Sequence, residues 1–284
     1  METPFIGREA LDAGDLTRHH LRSRFAAVYP GVYVARETQL TARLRAEAAW
    51  LWSTRRAVLA GRSAAALHGA KWVDAKAPAE LLHDNRHAPP GIRTWADVIA
   101  DEEIAVIKGM RVTTAARTAL DLASRNPTDQ AVTAVDALLR ATRCTRAEVE
   151  WIVARNNGRK GIRRARAVLE LVDAGAQSPR ETWLRLLVVR AGFPRPQTQV
   201  PVRNEYGIVI AHLDMGWEDE KIGLEYEGAH HRLSSEQFAY DIRKHEQVRE
   251  AGWRVLRVTS MDTPATILNR LAELRASRAR APSG

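Results

Sequence analysis

The chain lacks the marks of a secreted or membrane-embedded protein. Cys144 is the single cysteine among 284 residues, so neither a disulfide framework nor a thiolate zinc site can be built within one chain. A reducing, cytosolic compartment is the expectation. No apolar run approaches the roughly 18 residues that cross a bilayer, and no charged-then-apolar leader precedes the first polar residues. Internal repeats and low-complexity stretches are missing too. What is present, 45% hydrophobic residues, suffices for ordinary cores, and two domains are expected at this length.

The net charge of +9 is unevenly placed. Residues 1–180 hold 28 Lys/Arg against 20 Asp/Glu, whereas residues 181–284 hold 15 against 14. The basic excess therefore lies in the first part, where it suits a polyanion or serves solubility.

Asp15-Leu16-Thr17 opens a helical pattern through Phe25, with Asp15 or Thr17 as its cap. Val28–Val34 follows as two short strands around Pro30-Gly31. Helix, helix, hairpin is the order of a winged helix-turn-helix over residues 1–40. Beyond it, helices are expected at 41–53 and 63–68, strands at 57–61 and within 79–113 (Val98-Ile99 included), and a helix capped by Thr114. Three more helices fill 128–142, 145–155 and 161–173. The segment Arg155–Arg166 carries six basic residues and no acid, as either a solvated helix–loop or a phosphate-tracking surface. Ala174-Gly-Ala-Gln-Ser-Pro179 separates this 41–175 region from the rest.

From Ser178 the pattern is helix (179–191), strands (197–202, 208–217, 222–228), helix (234–251) and strand (253–259). Ser178-Pro179-Arg180-Glu181 is a helix start, with a capping serine, Pro at the first helical position and a carboxylate three residues after the cap. If residues 218–221 form a symmetric loop, Trp217 pairs with Ile222 and Asp214 with Glu225. Alternation then puts Leu213, Met215, Trp217, Ile222, Leu224 and Tyr226 on one apolar face. His212, Asp214, Glu225 and Glu227 share the other. Opposed carboxylates, with Cβ atoms about 4.5–5.5 Å apart, repel unless a cation intervenes. Mg²⁺ or Mn²⁺, which prefers carboxylate and water oxygens, is the expected one, against the plainer reading of a solvated acidic face. Such a cluster would position water for phosphodiester hydrolysis, with His230 or His231 moving a proton.

These residues carry a resemblance. Ser178–Glu181, Asp214, Glu225-Tyr-Glu-Gly228, His230-His231, Asp241 with Arg243-Lys244, and Gly252-Trp-Arg-Val-Leu-Arg-Val258 resemble the domain of unknown function related to very-short-patch repair endonucleases, in the PD-(D/E)XK superfamily. The resemblance implies a restriction-endonuclease-like αβββαβ core over 178–262, followed by a C-terminal helix and tail over 263–284. It implies Asp214 and Glu225 as metal ligands and Glu181 as a further acid. Glu227 stands where the superfamily has a lysine, and this family commonly has an acid there. Arg243 or Lys244 represents the basic residue of the second helix and would reach phosphate.

In the first part, Thr17, Arg18, His19, His20, Arg22 and Arg24 would present a recognition helix to DNA, with Tyr29 or Tyr33 of the wing adding a contact. The bland alternative is a basic helix packed through Leu16 and Leu21. His68 reads as structural. Leu16–Leu21, Val28–Val34, Ser63–Gly69 and Val112–Leu122 resemble segments of the AbiEi-type abortive-infection antitoxins, which implies DNA and a cognate toxin as partners. The fold class expected is thus mixed α/β. The leading function is a DNA-binding protein with a metal-dependent endonuclease-like C-terminal domain, in repair or defence. The alternatives are a non-catalytic DNA-binding regulator or antitoxin that retains a nuclease fold, and a structural partner of a toxin.

Overall fold

The computed structural model describes residues 3–85, 87–228 and 235–279, without the side chains of 235–241 and 279. It is a mixed α/β protein whose chain falls into two compact units, residues 1–172 and 173–284. Among the described residues, no helix is long and apolar enough to cross a membrane.

The first unit opens with β1 (Phe5–Ile6), α1 (Gly7–Asp12), α2 (Arg18–Arg24), β2 (Phe25–Tyr29) and β3 (Val32–Ala35), the strands ordered β1-β3-β2. Of the two candidate caps, Thr17 is the one used: its hydroxyl oxygen accepts the His20 amide at 3.1 Å, a bond worth about 1 kcal/mol to the helix. The helix stops at Arg24 because Phe25 is buried and extended at the start of β2. Arg36 closes the carboxyl end, donating to the carbonyls of Arg22 and Ser23 at 2.7 and 3.0 Å. Tyr29 pairs with Val32 across Pro30-Gly31, and Gly31 supplies the left-handed φ of 78° that the turn needs.

A mixed five-stranded sheet follows. Its pieces are α3 (Ala42–Trp52), β4 (Val58–Leu59), α4 (Gly61–Leu67), β5 (Ala79–Leu82), β6 (Ile92–Trp95), β7 (Ile104–Ile107) and β8 (Met110–Thr113), with strand order β6-β5-β4-β8-β7. Leu59, Leu81 and Val112 of the central strands pack against Ala46, Ala49 and Ala64 of α3 and α4, small side chains that let helix backbone approach the sheet closely. Val98-Ile99 are not a strand: Val98 is almost fully exposed, and Ile99 only packs against Val58, Ala60 and Leu82. The unit ends in helices α5 (Ala115–Arg125), α6 (Thr128–Ala141), α7 (Arg146–Arg155) and α8 (Ile162–Leu171). Thr145 and Glu148 form a capping box on α7. His68 Nε2 donates to the Thr113 carbonyl at 2.8 Å, a structural bond between α4 and β8.

The second unit runs α9 (Pro179–Arg190), β9 (Gln197–Arg203), β10 (Val209–Trp217), β11 (Ile222–Tyr226), α10 (Ser235–Glu250), β12 (Arg254–Val258) and α11 (Pro264–Ala279). Through β12 this is the αβββαβ order. The sheet order is β12-β11-β10-β9, antiparallel except for the parallel β11–β12 pair. One core gathers Leu184 and Val188 of α9 and Ile267 and Leu271 of α11 against Met215, Trp217, Ile222 and Leu224. A second joins Val200, Val202, Ala211 and Leu213 to Val248 of α10 and to Trp253.

The two cores correct one expectation. Strict alternation assigns Leu213 to the face of Met215, yet Leu213 packs in the other core. The ladder between β9 and β10 holds Leu213–Val200 and Met215–Thr198 but skips the step between them. At that step Gln199 has a left-handed backbone, φ 51°. Asp214 sits opposite this residue, between Leu213 and Met215, whose side chains enter different cores although the register on either side is the same.

Candidate functional site

Ile222, Gly223 and Leu224 of β11 pair with Trp217, Gly216 and Met215 of β10, as a symmetric loop at 218–221 requires. The next step along brings Asp214 and Glu225 to the end of that ladder. There Asp214 Oδ2 accepts the Tyr226 amide at 2.8 Å. Burial pushes the Asp214 carboxyl up from its ordinary 3.8 to about 6; Glu181 and Glu225 push the same way, while the Tyr226 amide and Lys244 resist.

Glu181 is buried in the first turn of α9. Ser178 Oγ accepts its amide at 3.2 Å, and its own carboxylate accepts the Gln177 amide at 2.7 Å. Glu181 therefore caps the helix start and also faces Asp214 electrostatically.

Two cations answer these acids. Lys244 of α10 donates to Glu225 Oε1 at 2.9 Å. Arg257 lies directly across from Glu225 in the parallel β11–β12 register, and its Nε is 3.6 Å from Glu225 and 3.2 Å from the more exposed Glu227. Beside them, the His245 imidazole is held below its usual pKa by partial burial and then by Arg257. Glu227 is thus an ion-pair partner of Arg257 and supplies none of the positive charge a lysine would bring to its position.

The other expected residues divide. Arg243 is exposed on α10. His212 is exposed opposite Pro201 and joins the cluster through no hydrogen bond or ion pair among the described residues. His230, His231 and the Asp241 side chain lie outside what is described.

Among the described residues, no three His, Cys, Asp or Glu side chains are grouped to hold a metal ion. The donor chemistry gives the reason. One Asp214 oxygen is committed to an amide, and Glu225 already faces an ammonium and a guanidinium. Four carboxylates here share two side-chain cations, so the cluster stays acidic, and Glu225 is the member that both of the chain's own cations engage.

In the first unit, Thr17, Arg18, His19, Arg22 and Arg24 are all exposed, while Leu21 anchors the helix and His20 is half-buried. The hairpin's tyrosines do not join that surface equally. Tyr29 is 3% exposed and its hydroxyl donates to the Gly91 carbonyl at 3.0 Å, so it belongs to the core and not to a wing tip. Tyr33 stays half-buried against Phe5.

Sequence reasoning passed over two sets of residues. Arg257 interrupts the apolar run Val255-Leu256-Val258, and that interruption was the signal for a paired charge. The second set is a buried network on α5. Arg117, fully buried, donates to Glu103 and, four residues on, approaches Asp121 at 3.4 Å. Arg159, from the basic 155–166 segment, donates to Asp97 at 2.6 Å and also to Asp121. Arg155 is likewise spoken for by Glu102 at 2.8 Å. Part of that segment is therefore structural, and Lys160, Arg163, Arg164 and Arg166 are left exposed.

Among comparisons with known proteins, the family-model match falls within the first unit. Residues 55–171 match the model of the AbiEi antitoxin C-terminal domain. Among curated proteins, the chain is 29% identical over 248 residues to the uncharacterized protein Rv2248 of Mycobacterium tuberculosis, covering 86% of this chain and 90% of that one. The uncharacterized protein MT2308 of the same species matches to the same extent. No solved structure matches.

Proposed function

We propose that the protein is a DNA-binding regulator of the antitoxin type, whose second unit keeps a nuclease-like αβββαβ order without a working metal centre. The observation that carries this reading is the antitoxin-domain match at 55–171, in the same compact unit as a helix with five exposed DNA-compatible residues. The surplus of eight positive charges in residues 1–180 (28 against 20) supports it, because phosphate neutralisation supplies most non-specific DNA affinity. In this account Arg18, Arg22 and Arg24 meet backbone or guanine edges, His19 and Thr17 flank them, and a cognate toxin is the protein partner. Tyr33 is the hairpin residue left to approach a groove.

In the second unit, Asp214, Glu181, Glu225 and Glu227 act as a structural ion cluster with Lys244 and Arg257. The competing reading is Mg²⁺- or Mn²⁺-dependent phosphodiester hydrolysis. The convergence of Asp214, Glu181 and Glu225 favours it, and the engagement of Glu225 by two side-chain cations opposes it.

One experiment separates the two. The full chain is incubated with duplex, mismatched and single-stranded DNA in EDTA, Mg²⁺ and Mn²⁺, with binding and strand integrity read from the same samples. Binding without strand breaks supports the regulator. Metal-dependent breaks lost in Asp214→Ala, with binding retained, establish the enzyme.

A further inference from the structure

The first unit contains an open cleft of about 390 Å³, bordered by Arg93, Trp95, Arg125, Arg159, Lys160 and Arg164. Its volume falls in the range of small-molecule sites, roughly 300–1,000 Å³, and exceeds what a bare anion fills. Trp95 and Arg125 form one wall, the guanidinium carbon 3.9 Å from the ring centroid. That stacking fixes the direction of the Arg125 fork.

The charges around the cleft do not balance. Asp97 is the single carboxylate on its lining, and three guanidiniums turn to it: Arg125, Arg159 at 2.6 Å and the buried Arg117 at 3.7 Å. Beneath the floor Asp121 and Glu103 complete a group of three carboxylates against three arginines. That inner group is neutral. Arg93 has Glu80 at 3.6 Å. Lys160 has no ion-pair partner among the described residues, and Arg164 has only the Ser124 carbonyl at 3.4 Å. Two cations at the rim are therefore left over. The crowding is felt inside as well: burial and the nearby Arg117 and Arg125 depress the Arg159 pKa, although Asp121 and Asp97 oppose them.

We infer that this cleft binds the phosphomonoester of a nucleotide-sized ligand, with Lys160 and Arg164 neutralising its two charges and Arg125 and Arg159 lining the space for the rest. A dianion matches the two uncompensated cations, and guanidinium forks suit phosphate oxygens. Two sources carry this chemistry: a free mononucleotide, and the 5′-phosphate of a nucleic-acid strand. The proposal concerns a site separate from α2 and does not depend on the second unit.

Isothermal titration of the full chain with 5′-AMP, adenosine, and a short single strand with either a 5′-phosphate or a 5′-hydroxyl tests it. Saturable binding below about 1 mM is expected for 5′-AMP, for the phosphorylated strand, or for both, and their order identifies the source. Lys160→Glu/Arg164→Glu should weaken that binding at least about tenfold, and Lys160→Gln/Arg164→Gln by less. Both rim residues are exposed, so an unchanged thermal midpoint is expected alongside. Absence of binding by both phosphorylated probes overturns the proposal. So does equal binding of adenosine and 5′-AMP, or affinity unchanged in both double variants.

Discussion

Lys244 Nζ lies 2.9 Å from Glu225 Oε1, so an ammonium from α10 holds the carboxylate that the nuclease reading assigns to a metal ion. With Arg257 on the other side, Glu225 is paired twice by its own chain. The consequences of that pairing can be measured.

Lys244→Met leaves a largely buried Glu225 facing Arg257 alone, with Asp214 still beside it. A loss of roughly 1–3 kcal/mol in unfolding free energy is expected at neutral pH. Lys244→Met/Glu225→Gln should recover most of it, since both charges go together. Urea denaturation of the two variants reads this. An unchanged midpoint in the single variant would show that the pair contributes nothing.

Asp214 gives a pH-dependent effect. Its folded pKa, about 6, lies above the ordinary 3.8, so the folded chain takes up this proton first as pH falls. The ionised group therefore costs stability above about pH 6, and the cost fades between 6 and 4. A tenfold difference in proton affinity between folded and unfolded chain is worth about 1.4 kcal/mol, so the whole cost is on the order of 2–3 kcal/mol. Asp214→Asn keeps an acceptor for the Tyr226 amide. It should be more stable than the parent by about 2 kcal/mol at pH 7.5 and equal to it near pH 4. A difference of the opposite sign, or one independent of pH, refutes the assignment.

In the first unit, Arg117→Met leaves Glu103 without its cation, with the Asn156 amide as its remaining donor, and weakens the hold on Asp121, both buried. A loss of about 3–5 kcal/mol is expected, with Arg117→Lys intermediate because one ammonium cannot replace the fork. Thermal unfolding followed by circular dichroism checks the ranking.

How legible these features were in the sequence depended on the reach of the interaction. The Ser178-Pro179-Glu181 helix start, the Pro30-Gly31 turn and the 217–222 hairpin are local, and the structure places them at the residues that turn and capping chemistry indicate. Alternation failed at Leu213, across from a strand in which Gln199 takes a left-handed backbone that no apolar pattern within β10 announces. Arg257 opposite Glu225 depends on a parallel pairing across a helix, which no local pattern specifies. The Arg117 network joins residues from positions 97 to 159, and only its i,i+4 contact with Asp121 was within reach of a sequence reading. Tyr29 was misplaced on the wing because its hydroxyl partner, Gly91, is 62 residues away.

Exposed arginines on α2 should act on DNA affinity and little on the fold. Arg18→Ala and Arg22→Ala should each weaken duplex binding. Each should also lower the slope of log affinity against log salt by about 1 for every phosphate the variant no longer neutralises. Thr17→Ala should instead cost about 1 kcal/mol of stability, because the His20 amide is left without its cap.

The central claim, a regulator that binds DNA without metal or cleavage, is tested most directly by one fluorescence-anisotropy titration. A labelled duplex from the region upstream of the protein's own coding sequence is titrated in EDTA with the parent chain and with Arg18→Ala/Arg22→Ala. Saturable, salt-sensitive binding by the parent is expected, at least tenfold weaker in the variant (roughly 1.4 kcal/mol), with the duplex recovered intact. Binding that appears only with Mg²⁺ or Mn²⁺, or that is equal in the two proteins, would contradict it.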